Sequence, residues 1–514
     1  MSEQESPQIK PPTKFVLEIT VFVCGALVMT YEIIGSRLLS PYLGASTYVW
    51  TSLIGVILAA LSLGYWLGGK IADRRPDIKI LASVIFFAGG LVSVTILLKD
   101  LILSFITKAP IGLELKSMLA ALLLFAPASI LLGFVSPYAV KLKISSLEDS
   151  GKTVGRLYAL STVGSILGTF LAGFVLIPFV GSEKTLYLIG ASLIGLSILL
   201  APFALSKINV AVLVFFILGI SANELKTYYL QQTRDLHDID TEYSRVQIFK
   251  IIEPHSKKMI RVLANDPYFV QSGTFLDSDD LVFDYNKYYH LLRHFKPDVK
   301  KSLMIGGAGY SFPKDYLAKY PNAEIEVAEI DPQMTEIARE FFRLKENPRL
   351  KITHQDGRVF LNQAGSNQYD AVLMDAFGSL FSVPFQLTTF EAVQHINRVL
   401  KDDGVVIFNL GGAIKGDAAS FLQAELNTYS QVFPKVFLFK INADYTDEQL
   451  QNLIIVACKE KTTAIATSDD AEISNMLKHL YVEDINSDIE VLTDDLAPVE
   501  HYNSFAQRSY QRAK

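Results

Sequence analysis

Cysteine is scarce in this 514-residue chain: Cys24 lies in an apolar segment and Cys458 in a predicted strand. Two such residues exclude a disulfide framework and a thiolate metal site. The eight histidines show no metal-ligand spacing such as H-E-x-x-H. No metal is therefore expected, and His354 and His395 read as structural or surface residues. Basic residues form no long cluster and the formal net charge is −6, which argues against nucleic acid as a partner. A convincing signal-cleavage site is also missing. The first apolar run, Phe15 to Leu39, is too long for the apolar core of a secretion signal and reads as a membrane span. The polar, proline-bearing residues 1–14 before it read as a disordered tail.

What is abundant is apolar. Hydrophobic residues make up 50% of the chain, unevenly spread, so a membrane half and a soluble half are predicted. A helical span needs about 20 mostly apolar residues. Seven candidates follow: Phe15–Leu39, Tyr48–Leu67, Ile80–Leu98, Met118–Val140, Leu160–Val180, Leu186–Leu205 and the short Ile208–Ala222. Together they predict a polytopic α-helical bundle over 15–222 in the cell membrane. The stretch Lys99–Lys116 is too interrupted to span and is expected at the interface. Gly64-x-x-x-Gly68 and Gly164-x-x-x-Gly168 allow close helix packing. Glu32 lies inside the first span, either as a functional acid or as a structural partner of Arg37 or of a base on a neighbouring helix.

Charge sets up a conflict over orientation. Lys70, Arg74, Arg75 and Lys79, then Lys141, Lys143, Lys152 and Arg156, mark cytoplasmic loops. Seven full spans would then put the soluble half outside. A cofactor made in the cytosol argues for a cytoplasmic soluble half. Both signals agree if Ile208–Ala222 enters the membrane only in part.

Beyond a polar linker at 223–240, residues 241–285 alternate as hairpins of a small β-domain. Residues 286–460 alternate short apolar strands with helical patterns, and 461–514 form a polar, partly helical extension. The alternation means βαβ units and a Rossmann-like parallel sheet. Ligands of such sheets sit beyond the carboxyl ends of the strands. Here those ends carry a glycine loop (Gly306, Gly307, Gly309) and three acids, Glu329, Asp356 and Asp375. The loop, Gly306-Gly-Ala-Gly-Tyr-Ser-Phe-Pro313, is not G-x-G-x-x-G and holds no Lys or Arg. It suits a nucleoside without phosphates, and the acids would attract a sulfonium nucleoside such as S-adenosylmethionine.

At these residues a resemblance becomes specific. Tyr289-His290, Met304-Ile-Gly-Gly, Ala328-Glu-Ile-Asp-Pro332, Gln355-Asp-Gly357 and Met374-Asp375 resemble the ordered landmarks of spermidine synthases. Tyr243–Ile252 and Val270-Gln271 resemble that family's small β-domain. The apolar N-terminal half and the tail Leu492-Thr-Asp-Asp-Leu-Ala-Pro-Val-Glu500 are similar to its membrane-fused branch. The resemblance runs from about Asp240 to Lys459. It implies a transferase, with decarboxylated S-adenosylmethionine or S-adenosylmethionine as co-substrate. Asp375 would be the catalytic base, Glu329 the ribose ligand and Asp356 the acceptor of the adenine amine. Gly306, Gly307, Gly309, Gly357 and Gln271 would line the cofactor site, and Tyr289 and His290 the substrate side.

Three departures bear on the acceptor. The glycine loop lacks the family's aspartate, the catalytic segment reads Asp375-Ala-Phe-Gly-Ser379 without a second one, and Leu291 replaces the acid after Tyr-His. Asp494, Asp495 and Glu500 are the candidates to replace these anchors. Otherwise the acceptor differs from a polyamine, as an amine-bearing lipid or amphiphile would. The expected partners are thus a small amine or amphiphilic acceptor and a lipid membrane, with a homodimer admitted. Two alternatives to aminopropyl transfer stay open: a methyltransferase, or a non-enzymatic transporter or sensor with a nucleoside-binding domain.

Overall fold

The computed structural model describes residues 14–144, 150–201, 207–265, 270–376, 383–460, 467–483, 485 and 488–512. The expected disordered tail, save Lys14, lies outside these residues, as do Phe377, Gly378 and Ser379 of the catalytic segment. The chain divides into two compact units, 1–230 and 231–514.

The described residues of the first unit are almost all helical. The unit comprises α1 (Lys14–Leu43), α2 (Thr47–Arg74), α3 (Ile78–Lys108), α4 (Leu113–Leu124), α5 (Ala126–Gly133), α6 (Val135–Lys143), α7 (Ser150–Leu171), α8 (Ser182–Leu200) and α9 (Lys207–Arg234), with a π-helical turn at Ala172–Val180. Among the described residues, six helices are long and apolar enough to cross a membrane, or seven if α4 to α6, bent by 54°, count as one span. The paired glycines pack as expected. A Cβ at Gly164 or Gly168 would overlap the carbonyls of Phe22 or Ala26 on α1, and one at Gly64 would overlap that of Ile130.

Ion pairs tie each end of the bundle. At one end Glu18 takes Lys143, and Arg156 at 2.9 Å. At the other, Lys99 bridges Glu183 at 2.6 Å and Asp100 at 3.2 Å, while Lys226 also reaches Asp100. Two expectations need correcting here. Lys99–Lys116 is not all connection, because α3 runs on to Lys108. Partners on α8 and α9 neutralise the charges that made that stretch look unable to continue. Nor does Ile208–Ala222 end short: α9 lies along α3 and α8, with Val212 against Gly90, Leu97 against Gly219 and Asn223 on Glu183 at 2.6 Å.

The second unit begins without the expected linker. α9 continues to Arg234, and β1 (His237–Asp240) pairs at once with β2 (Arg245–Ile252). β3 (Met259–Ala264) and β4 (Ser272–Phe275) complete a four-stranded antiparallel sheet. The larger sheet holds β5 (Lys301–Ile305), β6 (Glu324–Glu329), β7 (Leu350–His354), β8 (Tyr369–Met374), β9 (Leu400–Gly412), β10 (Lys435–Lys440), β11 (Gln451–Cys458) and β12 (Leu480–Tyr481). Its order is β12-β10-β11-β9-β8-β5-β6-β7. β7 to β9 are parallel, whereas β11, β10 and β12 run antiparallel, so the sheet is mixed rather than parallel. A tight return from β10 into β11 cannot be a parallel crossover, which needs a dozen or more residues.

β8 is buried along its whole length, as a central strand with helices on both faces must be. The C-terminal stretch packs into the same core: Leu492 and Val499 are 1% exposed, and Leu492 accepts a backbone hydrogen bond from Phe390 at 2.7 Å. Residues 461–514 are therefore in part a piece of the nucleotide fold rather than an appendage.

Candidate functional site

The carboxyl ends of β5, β6 and β8 open into a cleft of about 980 Å³. Its floor is the glycine loop. Gly306 has φ +94°, and a Cβ there would stand 2.6 Å from the carbonyl oxygen of Asp375. Only glycine fits. Ala308 and Tyr310 also take left-handed backbone, at φ 44° and 53°, a strain typical of ligand sites.

Glu329 ends β6 and pins this loop. Its Oε2 accepts from the Gly307 and Ala308 amides at 2.8 and 3.1 Å, and its Oε1 from the Asp331 amide at 3.0 Å. Burial raises its pKa, with the three amides pulling the other way. Asp356 caps the helix Gly357–Gln363: Oδ1 accepts from the Arg358 and Val359 amides at 2.8 and 3.0 Å. Its Oδ2 is left towards the cleft, with Gln386 3.5 Å away. Gly307, Gly357 and Gln271 line the cleft too.

Asp375 follows β8 directly. Its amide donates to Ile305 at 3.0 Å, and Asn409 Nδ2 approaches its Oδ1 at 3.4 Å. Burial lifts its carboxyl from the usual aspartate range to about 7, against the weaker pull of Asn409 and the Tyr289 hydroxyl. It caps no helix among the described residues. A carboxyl poised near neutrality in a cleft suits a general base.

Other expected residues lie elsewhere. Tyr289 and His290 are fully buried and do not line the cleft. Tyr289 donates to the Met374 carbonyl at 3.0 Å, bracing the strand before Asp375, and His290 sits 2.6 Å from Asp315. One turn earlier, Tyr285 is the cleft residue, its hydroxyl on the Gln271 carbonyl at 2.9 Å. Gly309 is a packing glycine against Ser272 and Phe342. Asp494 and Asp495 are also outside the cleft. Asp494 holds Arg358 and Thr389, each at 2.7 Å, so its charge is already used to clamp the tail.

Residues not foreseen line the other side of the cleft. Asn409 on β9, Gln451 and Asn452 on β11, and Asp444 and Tyr445 in the turn before β11 face the cleft. Among the described residues, the side-chain carbonyls of Asn409 and Gln451 have no hydrogen-bond partner, and neither does Asp331 Oδ2 beside the glycine loop. Asp444 is exposed. A sequence signal exists for Asp331, which follows Glu329 in the strand-end motif; the others depend on the antiparallel pairing of β11 with β9, which local sequence does not distinguish from a parallel one.

Residues 284–467 match the family described as the spermine/spermidine synthase domain. The polyamine aminopropyltransferase of Vibrio vulnificus is 25% identical over 305 residues, covering 57% of this chain and 98% of its own. That of Leptospira interrogans is 25% identical over 402 residues, covering 72% of this chain and 75% of its own. Such coverage exceeds the second unit, so this likeness reaches into the helices. The eEF1A lysine and N-terminal methyltransferase homolog of Drosophila melanogaster is 30% identical over 178 residues, 33% of this chain and 25% of its own.

Proposed function

We propose that the second unit is an aminopropyltransferase of the spermidine synthase type, carried by a helical unit that spans a membrane. It transfers an aminopropyl or related group from a sulfonium nucleoside to an amine. The observation that carries this reading is Asp375, held over the glycine loop with a carboxyl near neutrality. The acceptor amine loses a proton to the Asp375 carboxylate. Its lone pair then attacks the carbon next to the sulfonium, the carbon–sulfur bond breaks, and the pair goes to sulfur, leaving neutral methylthioadenosine. The leaving group is already activated by its charge, so the protein's work is alignment and deprotonation.

In this reading Glu329 holds the ribose and Asp356 Oδ2 the adenine amine, with decarboxylated S-adenosylmethionine as donor. A methyltransferase reading is favoured by the Drosophila melanogaster relative, since the two reactions share the sheet and differ in which carbon is presented. Incubating detergent-purified protein with each sulfonium nucleoside and an amine separates them. Methylthioadenosine is expected; S-adenosylhomocysteine would overturn the assignment. Turnover should rise with pH through about 7, as Asp375 loses its proton.

A further inference from the structure

The wall that β9 and β11 give to the cleft differs in charge from the glycine-loop side. Asn409, Gly411, Gln451 and Asn452 line it, and none of them ionises. Asn409 and Gln451 are 8% and 9% exposed. In both, the amide nitrogen is turned to the protein: Asn409 Nδ2 lies 3.4 Å from Asp375 Oδ1, and Gln451 Nε2 lies 3.5 Å from the Thr446 carbonyl. In both, the side-chain carbonyl is left buried and without a partner among the described residues. A buried carbonyl with no donor is costly, so natural proteins supply one from protein, water or ligand. These two oxygens therefore call for N–H or O–H groups.

Charge narrows what can bring them. Among the described residues no Lys or Arg lines the cleft. An acceptor bearing a carboxylate or a phosphate would find no counter-charge there, which sets aside amino acids and amine-bearing phospholipids. Beside this wall the buried acid is Asp375, and it is occupied with the reacting amine. Asp284 and Asp444 also line the cleft, but both are exposed, and Asp284 already holds Lys287 at 2.8 Å. Exposed ion pairs contribute little. A second ammonium would leave water to meet a neutral carbonyl, and burying a charge without a counter-charge costs far more than burying a hydroxyl that is hydrogen-bonded.

We infer that the acceptor is an amino alcohol rather than a diamine, its amine held between Asp375 and the Asn409 carbonyl and its hydroxyl donated to the Gln451 carbonyl. Once Asp375 has taken one proton from the amine, the Asn409 carbonyl accepts from a remaining N–H and turns the lone pair towards the donor carbon. The new carbon–nitrogen bond forms as the carbon–sulfur bond breaks, and the hydroxyl passes through unchanged. This inference rests on the aminopropyltransferase reading and names the class of its acceptor.

The test is calorimetry on the detergent-purified full chain in the presence of methylthioadenosine, with probes matched in length: aminobutanol against diaminobutane, and aminohexanol against diaminohexane. Each alcohol should bind at least ~10-fold more tightly than its diamine. Gln451→Leu should weaken the alcohols by about 5-fold and hardly affect the diamines. Gln451→Glu, which supplies the missing charge, should reverse the order within each pair. Equal methylthioadenosine affinity in the three proteins shows that the variants fold, and the wild-type comparison needs no variant. A diamine that binds as tightly as its alcohol, no measurable binding of either alcohol, or an unchanged order in folded Gln451→Glu would each overturn the assignment. Binding requires no turnover: a protein that releases no methylthioadenosine from any sulfonium nucleoside would overturn the transferase reading and leave this comparison standing.

Discussion

The two ends of the cleft are built differently. At the donor end, acids stand on parallel strand ends and are fixed by backbone amides: three on Glu329, two on Asp356. At the end read as the acceptor's, the Asn409 and Gln451 side-chain carbonyls are unpartnered among the described residues, and Asp284 and Asp444, both exposed, line the cleft. The end with the acids is preorganised, as the aminopropyltransferase reading requires of a site for a charged, hydroxylated donor. The acceptor end offers neutral hydrogen-bond acceptors, which set direction more than charge.

The sharpest test removes the base that joins the two ends. Asp375→Asn should lower turnover by roughly 10²–10⁴-fold while methylthioadenosine affinity, measured by calorimetry, hardly moves. Wild-type turnover in this variant would remove the catalytic assignment. Next, Glu329→Ala should weaken methylthioadenosine binding by about 10–100-fold, the size of a lost hydrogen bond to a charge. Unchanged affinity would mean the carboxylate serves only to staple the loop.

Smaller effects probe the acceptor end. Gln451→Leu and Asp444→Asn should each raise the acceptor KM by about 2–10-fold and leave the donor KM alone. Asp494→Asn should change neither KM, since Asp494 is tied to Arg358 and Thr389; an acceptor KM that rises in this variant would return the tail to the site.

The smallest effect is on stability. The folded pKa of Asp375, about 7, lies above the ordinary aspartate value of about 3.9. Between these values the unfolded chain has released a proton that the folded chain retains, so stability falls as pH rises through the window and the penalty is complete above it. Asp375→Asn should therefore melt a few degrees higher at pH 8, with the gain shrinking towards pH 4. A constant difference across that range would mean that Asp375 does not titrate as described.

The donor end was legible because a glycine turn and acids at strand ends follow a chain-local grammar: strand, turn, acid, helix. Tyr289 and His290 were misplaced because adjacency in sequence does not say which side of a short helical turn faces the ligand. Asp444, Asn409 and Gln451 could not be foreseen without the reversed strand β11, since nothing local distinguishes an antiparallel from a parallel apolar run. In the helices, the extension of α3 through Lys99 was hidden for the same reason: the charges that neutralise it lie on α8 and α9.

Gly306 has a longer reach than its size suggests. Because the Asp375 carbonyl occupies the space a Cβ would need, the donor loop and the base form one mechanical piece. Mutational drift in one is felt by the other. The loop and the base position are therefore coupled tightly, while the β9–β11 wall meets the base through one long side-chain contact, Asn409 at 3.4 Å from Asp375, and has more room to vary. In a lineage built on this frame, new acceptors would be acquired on that wall, and a change of donor would require the loop and base to be rebuilt together.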